Sequence, residues 1–331
     1  MSWQQKNNMS RYTWGIIGTG WIAHEMGEAL HRLQYDLYGV CDVNLAQAQR
    51  YAGEFQVPHA YASADAMLED ERIDIVYVAT PHNLHYDCIK KALQHGKHVF
   101  CEKVITVNEA QLCEVKAMAE QRGLVLMEGM TLYHMPLFKE VKQRITQGSI
   151  GPVKLIQVNF GSCKDYDVNN RFFSKALAGG ALLDIGVYAV SFARYFLNSK
   201  PDVILTTCNY FETGVDEESG ILMKNPDGQL VVSALTMRAK QPKRGVIAGE
   251  QGYIEIENYP RGERAVITYT EDGRKEEIEL GRTQDALLYE AQDMVHYVEC
   301  GGSDRVLELS MDVTSLLNRT RNQWGFRYPF E

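Results

Sequence analysis

The stretch WGIIGTGWIAHEM, Trp14 to Met26, decides the reading of the chain. Gly15, Ile16 and Ile17 end a short apolar run that reads as a buried strand. Gly18, Gly20 and Ala23 follow as G-x-G-x-x-A and open a helix whose apolar positions Ile22, Met26, Leu30 and Leu33 keep helical spacing. Such a turn suits a phosphate. Gly18 permits a tight bend, Gly20 lets backbone approach a pyrophosphate, and the small Ala23 lets helix pack on strand. The same pattern also serves ordinary strand–turn–helix corners, so context has to decide. A second apolar run, Leu37 to Cys41, ends in Asp42, placed where a carboxylate grips an adenosine ribose. Strand, turn, helix, strand and acid together spell a dinucleotide site.

The rest of the chain agrees with that start. From Tyr12 to about Met130, apolar runs alternate with helical patterns, which predicts a parallel sheet with crossover helices. The runs are Trp14–Ile17, Leu37–Cys41, Ile73–Ala79, His98–Cys101 and Val125–Met127; the helical stretches lie near Leu45–Phe55, Ala64–Leu68, Tyr86–Gln94 and Val107–Gln121. Asn108 is an N-cap candidate, and Gly96 and Gly123 mark helix ends. After Pro136 the character changes. One amphipathic helix, Pro136–Gln147, leads into eight alternating strands between Val153 and Leu280, joined by short turns such as Asn225–Gly228, Glu250–Gly252 and Glu271–Gly273. Helices about Asp285–Cys300 and Leu309–Trp324 close the chain. The fold class is α/β: a Rossmann dinucleotide-binding domain over residues 11–133, then an α+β domain over residues 134–331 with a large, mostly antiparallel open sheet.

Charge and composition narrow the function. The 331 residues include 34 basic and 43 acidic side chains, a net charge of −9 with no basic patch, so no nucleic-acid partner is expected. Seven cysteines at 41, 88, 101, 113, 163, 208 and 300 form no C-x-x-C pair, which predicts reduced thiols in a cytoplasmic protein. Residues 1–10 read as a loose polar tail, and no stretch approaches membrane-spanning length, so no membrane partner is expected.

Ligands of open α/β sheets bind beyond the carboxyl ends of the strands. The candidate cofactor contacts are accordingly Gly18, Thr19, Gly20, Trp21 and Ile22 in the turn, Asp42, the segment Thr80, Pro81, His82, Asn83 and His85, and Glu102 with Lys103. His82 and His85 lack a third ligand nearby, so no metal is expected. The second informative stretch is AGGALLDIGVY, Ala178 to Tyr188: Gly179 and Gly180 permit close approach to the first domain. Asp184 and Tyr188 follow at i, i+4 on one helix face.

With these stretches in view the chain resembles the Gfo/Idh/MocA oxidoreductases, from Tyr12 to the last helix. Their Glu-Lys-Pro motif maps onto Glu102, Lys103 and Val104, and their Asp-x-Gly-x-Tyr form onto Asp184, Gly186 and Tyr188. The tyrosine form is similar to the branch holding glucose–fructose oxidoreductase and dihydrodiol dehydrogenase. The resemblance implies a nicotinamide cofactor, a sugar, polyol or related hydroxy compound as small-molecule substrate, and a homodimer or dimer of dimers through the C-terminal sheet. It implies Tyr188 as acid/base, Lys103 lowering the phenol pKa and holding substrate, and Asp184 orienting substrate. Arg171 is a further substrate candidate. Asp42, followed by Val43 and Asn44 rather than arginine, favours NAD, with NADP possible. Two alternatives share the fold: a trans-dihydrodiol dehydrogenase-like enzyme using NADP, and a non-catalytic dinucleotide-binding regulator.

Two positions depart from the family pattern. Val104 replaces the proline; because a cis bond before valine costs about 3–4 kcal/mol, a trans bond, or a strained one, is expected. Tyr133 stands where relatives often carry arginine, which removes a cation near the domain boundary.

Overall fold

The computed structural model describes residues 12–302 and 304–331; the expected N-terminal tail lies outside them. The chain opens with β1 (Thr13–Ile17), α1 (Trp21–Leu33), β2 (Asp36–Cys41), α2 (Leu45–Phe55), β3 (His59–Tyr61), α3 (Ala64–Leu68), β4 (Ile75–Val78), α4 (His82–Gln94), β5 (His98–Glu102), α5 (Glu109–Arg122) and β6 (Leu126–Gly129). These six strands pair in parallel in the order β3-β2-β1-β4-β5-β6. The order reverses between β1 and β4, so the crevice where such sheets take ligands opens directly above the glycine turn. β4 is buried at every position, as a strand covered on both faces must be. β3 was not legible: three residues, none fully buried, show too little apolar pattern to register.

A 3₁₀ turn at Thr131–Tyr133 and α6 (Pro136–Thr146) lead into the second sheet. Its strands are β7 (Val153–Ser162), β8 (Val203–Tyr210), β9 (Asp216–Lys224), β10 (Leu230–Thr236), β11 (Lys240–Gly249), β12 (Gly252–Glu257), β13 (Arg264–Tyr269) and β14 (Lys275–Glu279). They lie in the order β14-β13-β12-β11-β7-β10-β9-β8, antiparallel throughout except for the β7/β10 pair. The three short turns read from the sequence join antiparallel neighbours, as expected. Between β7 and β8, Leu182–Gly186 form a π-helical turn that runs straight into α7 (Val187–Phe196). That helix lies on the inner face of the sheet, where Phe192 fills the space left by Gly245. Two helices, α8 (Ala286–Cys300) and α9 (Asp304–Gln323), return to the first half of the molecule, α8 against α1 and α9 against α5 and β6.

One expectation about this region is corrected. Lys175–Phe196 is long and apolar enough, by length and composition alone, to cross a membrane. Most of it is buried inside the molecule: Leu182, Leu183, Val187, Phe192 and Phe196 are all fully buried. Its composition reflects a core element wedged between sheet and neighbouring helices.

Candidate active site

The first turn has the shape of an anion cradle. Gly18 adopts φ +94° with its N–H donating to the Cys41 carbonyl at 2.8 Å, and a Cβ there would stand 2.7 Å from the Ala79 carbonyl oxygen. At Gly20 a Cβ would meet nothing within 4 Å. No side chain caps α1 and no acid sits in its first turn, so its leading N–H groups are left for an anion. A pyrophosphate fits that combination of free donors and open space. Trp21 is largely exposed beside the turn, while Ile22 packs on the core. Asp42 is tied back to the turn: Oδ2 accepts from the Thr19 N–H at 3.0 Å and from its hydroxyl at 2.7 Å, and Oδ1 from the Asn44 N–H at 2.9 Å. Its negative charge therefore stands fixed at the carboxyl end of β2.

The segments after β4 and β5 form the floor. α4 starts at His82, four residues earlier than its apolar pattern suggested, so His82, Asn83 and His85 occupy its first turn, after Thr80 and Pro81. Asn83 Oδ1 is a buried acceptor with no partner among the described residues. His82 is buried, its Nδ1 3.4 Å from the Ala178 carbonyl oxygen, which links the first half to the second glycine turn. His85 is fully buried, with Nδ1 2.8 Å from the Val104 carbonyl and Nε2 2.8 Å from the Thr80 carbonyl. Burial draws its pKa down to about 4 against the pull of the two carbonyls, and with each nitrogen facing a carbonyl the ring ties the two loops together and offers no free nitrogen to a cofactor. The Lys103–Val104 peptide is cis, so the trans alternative falls; Val104 is buried in the core and its carbonyl faces His85. Glu102 is buried and accepts from the Tyr77 hydroxyl. Burial raises its pKa against the pull of Tyr77 and Lys103.

Lys103 reaches across to the second half. Its Nζ donates to the Asp184 carbonyl at 2.7 Å, stands 3.5 Å from Asp184 Oδ1, and lies 4.5 Å from the centroid of the Tyr188 ring. The π-helical turn keeps Asp184 and Tyr188 on one side, where both meet this ammonium. Burial alone would raise the Asp184 pKa, but Lys103, Lys164 (3.3 Å from Oδ2) and Arg171 outweigh it and hold it at about 2. Tyr188 behaves differently from the expectation that Lys103 lowers its pKa. The ammonium sits over the ring face, and burial together with the charges of Glu102 and Asp184 pushes the phenol well above its ordinary value. Tyr188 is therefore a proton-bearing group at neutral pH.

The glycine pair of this turn also differs from its reading. A Cβ on Gly179 would collide with the carbonyls of Arg171 and Phe172, and one on Gly180 (φ +117°) with the Asp216 carboxylate. The crowding comes from the same half of the molecule; contact with the first half is made by Ala178 through His82. Arg171 is exposed, stacked at 4.2 Å over Phe172, and makes no ion pair among the described residues. Tyr133 is buried and stacks on Tyr195 at 5.6 Å. The sequence reading missed Phe160, which stacks on Tyr188 at 5.9 Å, Lys243 over the Phe160 ring, and Lys164 beside Asp184. β7 and β11 alternate like any other strands, Lys164 lies in the segment after β7, and nothing local marks which of these side chains meets the crevice.

Comparison with known proteins identifies the family. Residues 12–130 match a family model described as an oxidoreductase family with an NAD-binding Rossmann fold, and residues 138–255 match the GFO/IDH/MocA C-terminal domain. Trans-1,2-dihydrobenzene-1,2-diol dehydrogenase of Xenopus laevis is 30% identical, covering 96% of this chain and 99% of its own. The chain belongs to the Gfo/Idh/MocA family of oxidoreductases. Another member, scyllo-inositol 2-dehydrogenase (NADP(+)) of Bacillus subtilis, is 29% identical over 95% of this chain and 97% of that one. Levoglucosan dehydrogenase, solved with NADH and levoglucosan, shares the fold with a TM-score of 0.85 at 19% identity, covering 96% of this chain and 99% of that one.

Proposed function

We propose that this family member transfers hydride between a nicotinamide dinucleotide and a carbon bearing a hydroxyl or carbonyl group in a polyhydroxy compound of the sugar, polyol or dihydrodiol kind. The observation that carries this reading is the meeting of Lys103, Asp184 and Tyr188 beyond the strand ends. When bound, the dinucleotide supplies or accepts the hydride. The chain's own groups handle the rest. The free N–H groups of α1 hold a pyrophosphate. Lys103 donates a hydrogen bond to the substrate oxygen and stabilises its developing negative charge. Tyr188, held protonated, delivers the proton as a carbonyl is reduced, and takes it back in the reverse direction. Asp184, held ionised, accepts from a neighbouring substrate hydroxyl and fixes the face presented.

NAD is the proposed cofactor because the Asp42 carboxylate accepts a ribose hydroxyl and repels a 2′-phosphate. The test is an absorbance assay at the reduced-nicotinamide band with either dinucleotide and a panel of inositols, aldoses and aromatic dihydrodiols. Turnover with any of them, faster with NAD, supports the reading. Dinucleotide binding without turnover across the panel would favour the regulator, and turnover of a dihydrodiol alone with NADP the dihydrodiol dehydrogenase-like alternative.

The outer face of the second sheet supports a homodimer. Leu205, Leu222 and Val232 stand opposite one another across β8, β9 and β10, and Leu230 opposite Leu155 across β10 and β7, all exposed. A second copy covers such a face by the symmetry of most oligomers. Leu222→Lys is expected to halve the mass measured by light scattering; an unchanged mass would remove this face. Seven unpaired thiols favour a cytoplasmic setting.

A further inference from the structure

The crevice is more basic than hydride transfer needs. Lys103, Lys164 and Arg171 converge on Asp184, the one carboxylate among the described residues within ion-pair distance of any of them. A fourth cation stands beyond the aromatic floor. The Phe160 ring stacks on Tyr188 on one side and carries the Lys243 ammonium 4.7 Å from its centroid. Lys103, Tyr188, Phe160 and Lys243 thus form one chain of contacts, each of two stacked rings carrying an ammonium. Arg261, the next cation nearby, is matched by Glu25 at 2.6 Å. Lys243 has no such partner: it is half-buried, makes no ion pair among the described residues, and lies among Lys240, Lys164 and Arg261. Burial, reinforced by those three charges, lowers its pKa. An ammonium withdrawn from water and surrounded by like charges is costly, and an anion placed against it removes that cost. A chain with net charge −9 has no general reason to gather cations here.

The geometry points to a polyhydroxy substrate that bears an anionic group, a carboxylate or a phosphate ester, held by Lys243 and Lys164 while the reacting carbon lies at Lys103 and Tyr188. The inference rests on the proposed hydride-transfer reading and names its substrate class. Charge-assisted hydrogen bonds to an anion are the stronger kind, and in a partly dehydrated crevice they discriminate well against a neutral analogue.

The test is calorimetric binding to the dinucleotide-loaded protein of three six-carbon compounds: sorbitol, gluconate and sorbitol 6-phosphate. One of the two anions is expected to bind at least about tenfold tighter than sorbitol, and which one identifies carboxylate or phosphate. Lys243→Gln is expected to lower that ratio severalfold, whereas Lys243→Arg, which keeps the charge, holds it and shows the crevice intact. Sorbitol binding as tightly as both anions, no binding of either anion, or a ratio unmoved in Lys243→Gln would overturn the inference. Because binding is read without turnover, the two readings fail separately. A protein that prefers and oxidises sorbitol loses only the anion, and one that binds gluconate but turns nothing over loses only the hydride transfer.

Discussion

The two glycine turns look alike in sequence and do opposite work. Gly18 and Gly20 precede α1; Gly179 and Gly180 precede the π-helical turn that enters α7. At the first turn the missing side chain at Gly20 leaves open space above uncapped N–H groups. At the second, Gly179 and Gly180 are filled by the molecule itself, the Arg171–Phe172 carbonyls on one and Asp216 on the other. Asp216 completes the packing by accepting from the Leu182 N–H at 2.6 Å, and Tyr328 by donating to the Gly179 carbonyl at 2.7 Å. The lesson is that a glycine marks close approach, and only the surroundings say whether a ligand or the chain itself does the approaching.

The sharpest way to break this comparison is at the residue that joins the turns. Lys103 starts at the end of β5 and ends on Asp184, so Lys103→Met is expected to cut turnover by about 100-fold or more while dinucleotide affinity stays near its starting value. Near-normal steady-state rates in that variant would separate the turns into unrelated features. Next comes the packed turn. Gly180→Ala forces a side chain into φ +117° and against Asp216, and is expected to cost up to ~3 kcal/mol in denaturant unfolding. An unshifted midpoint would mean this turn is as open as the first.

Asp184 offers a test by pH. Its carboxyl is held at about 2 in the folded chain against 3.8 normally. The unfolded chain therefore takes up the proton first, and the stabilisation is complete above pH ~4 and lost as pH falls toward 2. Asp184→Asn is expected to flatten that acid limb by on the order of 2 kcal/mol; an unaltered limb would show that the lysines do not grip it. The smallest effect belongs to the open turn. Gly20→Ala at φ −75° meets no neighbour, so thermal unfolding should be unmoved while dinucleotide affinity drops roughly tenfold. Loss of stability with affinity kept would invert the comparison.

Much of the architecture was legible because two periods were clean. The 3.6-residue spacing placed α2 and α3 at their observed bounds, and the period of two with turn residues recovered all eight strands of the second sheet. Asn108 caps α5 as read, accepting from the Gln111 N–H at 3.0 Å. Of the candidate site, the sequence offered only what a local motif carries: the first turn, Lys103, and the Asp184–Tyr188 pair. Phe160, Lys164 and Lys243 come from β7, the segment after it, and β11, and only the pairing of β7 with β11 puts them together. The Tyr188 pKa escaped for a similar reason. Its direction depends on Glu102 and on burial by elements far away in sequence, which no spacing within Ala178–Tyr188 encodes. Nor did the substitution of valine for proline announce the cis peptide, which belongs to a segment closed over by His85 and the surrounding core.

The central claim is that the phenol of Tyr188 carries the proton of a hydride-transfer reaction at the junction of the two halves. The most direct measurement compares wild type with Tyr188→Phe in a single-turnover reduction, following loss of reduced-nicotinamide absorbance while dinucleotide affinity is titrated separately. The account predicts a rate lowered by about 100-fold or more with affinity within roughly twofold, because only the hydroxyl is removed and the ring still stacks on Phe160. A Tyr188→Phe enzyme that reduces substrate at the wild-type rate would contradict it.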